Sequence, residues 1–147
     1  PLIKESTIFS RRRSMGVTSI EWHPALPLVA VGCYDESLTL WDPRMVNSPI
    51  SSIESIGGGV WRLKWQPVGH GQTTSILLAA CMGAGFRLIH LADSLNPRII
   101  HSYTDPHSSL AYGACWSPSN GSSASDIAAT CSFYDKKLSI WRVPSHF

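Results

Sequence analysis

Five side chains of this sequence have the types that nucleophilic, acid–base or oxyanion-stabilising chemistry uses. They are Arg62, His107, Ser108, Ser109 and Asp135. The sequence contains no G-x-S-x-G, H-E-x-x-H, P-loop or G-x-G-x-x-G pattern around them. Its histidines and cysteines match no metal-ligand spacing, so we expect no metal and no cofactor. The residue types therefore give candidate groups but no catalytic residue.

Composition and charge exclude several classes of partner. The 147 residues are 44% hydrophobic and 15% charged, which is typical of one soluble folded unit. A net charge of +2 is too small to indicate nucleic-acid binding, and no apolar run approaches the roughly 18 residues of a membrane span. Three of the four cysteines, Cys33, Cys81 and Cys131, fall at what the sequence suggests is one repeated strand position. We therefore expect a reduced, cytoplasmic protein with no nucleic-acid or membrane partner.

An internal repeat must position these groups. Three segments end in Trp-x-Pro: VTSIEWHP (17–24), VWRLKWQP (60–67) and AYGACWSP (111–118). Each is followed by two apolar runs and preceded by a shorter one, with turn residues between them. No stretch of ten or more residues has helical periodicity. The pattern predicts an all-β chain, with Trp22, Trp65 and Trp116 at equivalent, largely buried positions on three inner strands.

Four short strands in about every 40 to 50 residues, closing on Trp-Asp, resemble the WD-repeat β-propeller family. The resemblance implies that residues 1–147 belong to one propeller domain, with repeats at approximately 6–42, 49–91 and 98–142. In that family each repeat supplies the outer strand of one blade and three strands of the next. Three blades cannot close a ring, because both flanks stay open. We therefore expect about three four-stranded blades of a seven-bladed whole, with the other blades mainly upstream.

The same resemblance implies a hydrogen-bonded set of four side chains in each blade: a His, a Ser or Thr, a turn Asp and a Trp. The third unit can complete this set with His107, Asp135 and Trp141, together with either Thr130 or Ser132. A structural role is therefore favoured over catalysis for His107 and Asp135.

The other two units depart from that set. The first keeps Asp35 and Trp41, but Arg13 stands where the His is expected. The second has Ala84 aligned with the turn Asp and His90 aligned with the Trp. We therefore expect packing, rather than hydrogen bonds, to hold the second blade.

Longer phrases carry a more specific resemblance. GCYDESLTLWDPR (32–44), GGGVWRLKWQP (57–67), LLAACMGAGF (77–86), SLAYGACWS (109–117) and ATCSFYDKKLSIW (129–141) resemble, in this order, the C-terminal part of the WD-repeat diphthine methyltransferase family. In that family the protein is also described as a methylesterase, which removes a methyl ester from over-methylated diphthine on elongation factor 2. The resemblance implies a carboxylic ester hydrolase of diphthamide biosynthesis whose partner is elongation factor 2. The alternative is a non-catalytic WD-repeat scaffold that binds a partner protein.

The substrate implied by this resemblance carries a trimethylammonium group, which has no N–H donors and is best bound by aromatic faces. In WD propellers the second residue of the innermost strand faces the central channel, which here selects Thr18, Trp61 and Tyr112. The residue before the turn Asp lies near the same mouth, which selects Tyr34 and Tyr134. The four aromatic residues are therefore candidates for a substrate-binding cage. The alternative is that Trp61 and Tyr112 pack against neighbouring blades.

Overall fold

The computed structural model describes residues 15–45, 47–67, 75–92, 95–118 and 126–143. These residues form eleven β-strands and no helix, and so contain no helix that is long and apolar enough to cross a membrane. The strands are β1 (Val17–Trp22), β2 (Val29–Cys33), β3 (Leu38–Trp41), β4 (Ser51–Ile53), β5 (Arg62–Trp65), β6 (Ser75–Ala80), β7 (Phe86–Leu91), β8 (Pro97–Tyr103), β9 (Ala111–Trp116), β10 (Ile127–Ser132) and β11 (Leu138–Arg142).

The strands form three antiparallel sheets in chain order: β1–β4 is blade 1, β5–β8 is blade 2 and β9–β11 is blade 3. The short run at 51–53 pairs with β3, so it is the outer strand of blade 1. The run at 97–103 likewise closes blade 2. The predicted all-β propeller architecture is confirmed. The repeat boundaries remain a prediction, and the first short run, together with Arg13, lies outside the described residues.

Blade 2 is buried on both of its faces. Successive residues of a strand point to opposite sides of a sheet, and in β6 both Leu77 and Leu78 are almost fully buried. Leu77 joins the apolar cluster shared with blade 1, which includes Leu40. Leu78 joins the cluster shared with blade 3, which includes Phe86 and Trp116. The second blade is therefore the centre of the packed structure.

The three Trp-x-Pro tryptophans are not equally buried. Trp65 and Trp116 are buried, and their indole N–H groups donate to the inner strand of the preceding blade, at the carbonyls of Glu21 (3.3 Å) and Lys64 (2.9 Å). Trp22 is 62% exposed. The prediction of a buried Trp22 is wrong for the described residues, because they contain no blade before β1 that its indole would contact.

In the structure, the turn of the second unit matches that of the first unit with a shift of one residue relative to the alignment that the sequence suggested. The N–H groups of Cys33 and Cys81 each donate to the carbonyl four residues further along, at 3.0 and 2.8 Å, so the two turns have the same length. Counted from these cysteines, Gly83 rather than Ala84 stands at the position of Asp35. The predicted equivalence of Ala84 with the turn Asp is therefore wrong.

The strand after this turn carries the same shift. Trp41 pairs with Val29 in blade 1, and the corresponding residue of blade 2, Leu77, pairs with Ile89. Ile89, rather than His90, therefore replaces the tryptophan. A one-residue slip moves a side chain to the opposite face of a sheet, and only Ile89 lies on the face toward blade 1. The conclusion that blade 2 relies on packing is unchanged.

The β10–β11 turn is one residue longer than the other two turns. The N–H of Ser132 donates to the carbonyl of Lys137, five residues further along, at 3.1 Å. Ser132, and not Cys131, therefore takes the position of Cys33 and Cys81. The predicted common position of three cysteines is wrong, and the serine that replaces the third one becomes part of the site described below.

Candidate functional site

A chain of hydrogen bonds crosses blade 3. Trp141 Nε1 lies 3.2 Å from Thr130 Oγ1, which lies 3.0 Å from His107 Nε2. His107 Nδ1 lies 2.6 Å from Ser132 Oγ, and Ser132 Oγ donates to Asp135 Oδ1. Both hydroxyl residues that the sequence left as alternatives take part, so five side chains are joined instead of four.

The direction of each bond follows from the available protons. Ser132 uses its single hydroxyl proton on the carboxylate, so it accepts from His107 Nδ1–H. A neutral His107 then accepts at Nε2 from the hydroxyl of Thr130, which accepts from the indole N–H of Trp141. Each group donates to the next, and the chain ends on the carboxylate of Asp135. This order leaves the imidazole of His107 neutral, with each ring nitrogen bonded to a hydroxyl of β10.

The electrostatics of the chain agree with this order. Burial lowers the pKa of His107, while Asp135 raises it and Lys137 lowers it to smaller extents. The hydrogen bond from Ser132 is the main cause that lowers the pKa of Asp135 to about 2, with further bonds from the N–H and hydroxyl of Ser108. At neutral pH Asp135 is therefore ionised. Both ring nitrogens of His107 are bonded to hydroxyls of β10, which supports the structural interpretation of this histidine.

Blade 1 arranges the corresponding residues differently. Asp35 Oδ1 accepts from the N–H and the hydroxyl of Ser37, at 3.2 and 2.7 Å, which forms a local turn. Trp41 donates its indole N–H to Thr39 Oγ1 of the same strand at 2.8 Å. The predicted structural roles of Asp35 and Trp41 remain predictions, because Arg13, which stands where the His of the set is expected, lies outside the described residues.

Another histidine, His23, is buried and links blades 1 and 2. His23 Nδ1 accepts from the N–H groups of Ala25 and Leu26, at 3.1 and 3.0 Å, and its Nε2 bonds to Ser75 Oγ at 2.8 Å. Its ring packs against that of Trp65, with centroids 4.7 Å apart. Burial lowers its pKa. Local sequence does not reveal this link, because Ser75 is distant from His23 in the chain.

Four aromatic side chains form a continuous row, which is called the aromatic row below. They lie at the start of the inner strands of blades 2 and 3 and on the β10–β11 turn. Ring centroids are 5.1 Å apart for Trp61 and Tyr112, 5.4 Å for Tyr112 and Phe133, and 5.0 Å for Phe133 and Tyr134. The sequence predicted three of these residues together and missed Phe133. Among the described residues, no ring contact joins Tyr34 to the row. Tyr34 is therefore not part of this arrangement, because it lies on the corresponding turn of blade 1.

The strands and a glycine loop place Trp61. Its N–H donates to the carbonyl of Ala80 at 2.8 Å, directly before β5 begins. Upstream, Gly57 has φ +100°, which side-chain-bearing residues rarely adopt. A Cβ on Gly58 would lie 2.3 Å from the carbonyl oxygen of Cys81. The glycine run therefore permits close contact between neighbouring turns. Thr18, at the matching position of β1, donates its hydroxyl proton to the carbonyl of Val60 beside Trp61.

An open depression of about 820 Å³ adjoins Tyr134, and we call it the polar depression. Four of the five candidate groups from the sequence analysis line it, namely His107, Ser108, Ser109 and Asp135, and Arg62 does not. The other lining residues are Gly83, Gly85, Thr104 and Leu110, besides Tyr134. Ser108 N–H donates to Asp135 Oδ2 at 2.7 Å, and Ser109 Oγ accepts from Tyr134 N–H at 3.0 Å. The fold thus brings four hydrolysis candidates and one end of the aromatic row to the same place.

Arg62 lies apart from these candidates. It lines a smaller groove of about 240 Å³ against blade 3, with Gly113, Cys115 and Leu138 among its neighbours. The structure therefore does not bring it into the polar depression. Within the described ranges, no cluster of three or more His, Cys, Asp or Glu residues could hold a metal ion.

No family model matches the chain. Its sequence is 43% identical over 139 residues to a diphthine methyltransferase homolog of Dictyostelium discoideum, covering 90% of this chain and 37% of that protein. It is 41% identical over 113 residues to the diphthine methyltransferase of Homo sapiens, covering 74% of this chain and 24% of that protein. The chain is homologous to diphthine methyltransferases. It spans less than half the length of these relatives and matches their C-terminal part.

The fold of this diphthine methyltransferase homologue also has a solved counterpart. It aligns with a chain in the crystal structure of the mitotic checkpoint complex with a TM-score of 0.70, covering 91% of this chain and 38% of that chain. That chain is a WD40 propeller. The sequence identity is 18%, so the likeness concerns the fold alone.

Proposed function

We propose that the protein acts in diphthamide biosynthesis, in the cytoplasm, as a hydrolase that removes the methyl ester from methylated diphthine on elongation factor 2. The observation that carries the pathway is the 43% identity over 90% of the chain to a protein named for diphthine. The hydrolytic reaction is the finer part of the proposal and rests on the family resemblance and on the polar depression.

The aromatic row is suited to the cationic part of this substrate. Trp61 and Tyr112 are in contact and are inclined at 56° to each other, so their faces are not parallel. Trp61 remains 36% exposed although it lies between two blades. Each aromatic face that meets a quaternary ammonium contributes about 0.5–2 kcal/mol, depending on how far the contact excludes water. Two rings in contact with one trimethylammonium group would bind it without any carboxylate.

The polar depression is suited to the ester. In hydrolysis, water adds its oxygen to the ester carbonyl carbon, the methoxy group leaves with a proton as methanol, and a carboxylate remains. The hydroxyls of Ser108 and Ser109 lie at this depression, next to Tyr134 at the end of the row. Asp135 is ionised and orients Ser108 through two bonds to its Oδ2, at 2.7 and 3.2 Å. We assign no nucleophile among the described residues.

Incubation of the intact protein with elongation factor 2 that carries methylated diphthine tests the proposal. We expect the mass of the modified peptide to fall by one CH₂ and methanol to form in equal amount. Heat-denatured protein provides the control for spontaneous ester loss. An unchanged peptide, together with retained binding of elongation factor 2, would contradict the hydrolase and support the alternative of a non-catalytic scaffold.

A further inference from the structure

We propose that Phe133 is an inner ring of a quaternary-ammonium site formed by the aromatic row and strengthens its preference for a quaternary cation over a neutral group of the same shape, an inference that rests on the proposed function for its ligand class. Phe133 contacts Tyr112 on one side and Tyr134 on the other. It remains 61% exposed and Tyr134 is 70% exposed. A phenylalanine that lies in water between two other rings adds little to the core.

The backbone holds Phe133 in this exposed position. The β10–β11 turn has one residue more than the corresponding turns of blades 1 and 2, and Phe133 and Tyr134 project from it. The N–H of Phe133 donates to the carbonyl of Leu110 at 3.2 Å. The N–H of Tyr134 donates to Ser109 Oγ at 3.0 Å. The turn is thus fixed to the β8–β9 loop at two successive residues, so the rings are positioned before any ligand binds.

The chemistry of the row favours a quaternary cation over other ligands. The phenyl ring of Phe133 offers a negatively polarised face and no hydrogen-bonding group. A primary ammonium would lose hydrogen bonds to water on such a surface, whereas a trimethylammonium group has none to lose. The two contacts of Phe133 are at 36° and 87°, so neighbouring rings present differently oriented faces around it. The row therefore offers a curved aromatic surface to one rounded cation.

Choline and 3,3-dimethylbutan-1-ol provide the test, because they have nearly the same shape and differ in the charged nitrogen. Their binding to the intact protein can be measured by saturation-transfer NMR from the aromatic protons to the ligand methyl groups. We expect choline to bind at least about threefold more tightly than the neutral alcohol. The variant Phe133→Leu should lower this preference at least about twofold, which is the smallest contribution expected of one aromatic ring, with an unchanged thermal unfolding midpoint.

Tyr34→Leu is the matched control, since it replaces an exposed aromatic on the corresponding turn of blade 1, and we expect it to leave the preference unchanged. Equal binding of choline and the neutral alcohol would overturn the inference and identify a plain apolar contact surface. A preference of the same size in Phe133→Leu as in the unmodified protein would also overturn it. The outcome is separate from that of the hydrolase assay: a protein that prefers choline but leaves the ester intact supports this site and contradicts the proposed reaction.

Discussion

In blade 2 both faces of the sheet are buried, whereas in blade 3 the face away from blade 2 exposes Leu138 and Ile140 at about 70% each. Blade 2 has Gly83 and Ile89 where the hydrogen-bonding Asp and Trp are expected, while blade 3 carries a complete polar chain. The difference shows that blade 2 is held by packing on both faces, without the Asp and Trp that complete the hydrogen-bond chain of blade 3.

The largest effect should come from removing packing in blade 2. Leu78→Ala leaves a cavity between blades 2 and 3, and we expect the free energy of unfolding to fall by about 2–5 kcal/mol. Ile99→Ala on the outer strand of the same blade is the control, because Ile99 is 40% exposed and should cost roughly 1 kcal/mol. Urea unfolding of the intact protein measures both. Similar losses for the two variants would contradict the two-sided packing of blade 2.

The next effect concerns the polar chain of blade 3. Thr130→Val keeps the shape of the side chain but leaves the indole N–H of Trp141 and Nε2 of His107 without their partner. We expect a loss of about 1–3 kcal/mol in the free energy of unfolding. Thr104→Val, at an exposed position, should change it by less than about 0.5 kcal/mol. An equally small change at Thr130 would show that the chain does not stabilise blade 3.

Acid should weaken the hydrogen-bond chain of blade 3 in two stages. Burial lowers the folded-state pKa of His107 below 6.5, so its contribution is complete above pH 6.5 and is lost as the pH falls toward the lowered value. Asp135, lowered from 3.8 to about 2, contributes above pH 4 and loses that contribution as the pH falls toward 2. We expect stability to decrease from pH 7 to 5, and less steeply in His107→Gln. The remaining slope includes His23, whose pKa is also lowered by burial. An identical slope in His107→Gln would contradict a neutral buried His107.

The smallest perturbation is chemical labelling of the cysteines. Burial raises the pKa of Cys81 in blade 2 to about 12, while Cys115 in blade 3 is exposed. Iodoacetamide at pH 7.5 should therefore modify Cys115 first, then the partly exposed Cys131, and spare Cys33 and Cys81 until the protein unfolds. Mass spectrometry of peptides gives the order. Early modification of Cys81 would show that the packing of blade 2 opens readily.

Much of the architecture was predictable because strand periodicity and the Trp-x-Pro repeat depend on local sequence. The errors arose where a single residue decides the outcome. His90 was chosen over Ile89 because the apolar pattern of β7 does not fix its register, although the turn before it has the same length as in blade 1. Cys131 was chosen over Ser132 because the longer β10–β11 turn shifts the register. The burial of Trp22 could not be predicted, since it depends on which neighbouring blade its indole meets.

The candidate site was predicted only in part. Trp61, Tyr112 and Tyr134 were selected by their place in the repeat, and the structure joins them. Phe133 was missed because the inserted turn residue has no counterpart in the other units. The role of Tyr34 stays a prediction: it lies on the corresponding turn of blade 1, and among the described residues no ring contact joins it to the row. Contacts between distant parts of the chain leave no pattern in one sequence.

Trp61→Ala tests most directly whether the residues that hold the blades differ from those that meet the substrate. Turnover of methylated diphthine on elongation factor 2 and the thermal unfolding midpoint should be measured on the same preparation of the intact protein, with Tyr34→Ala as control. We expect kcat/KM to fall roughly tenfold or more in Trp61→Ala, as loss of cation binding worth about 1.4 kcal/mol or more requires, while the midpoint changes by only a few degrees. A variant that unfolds outright, or one that turns over the substrate at the unmodified rate, would contradict the account.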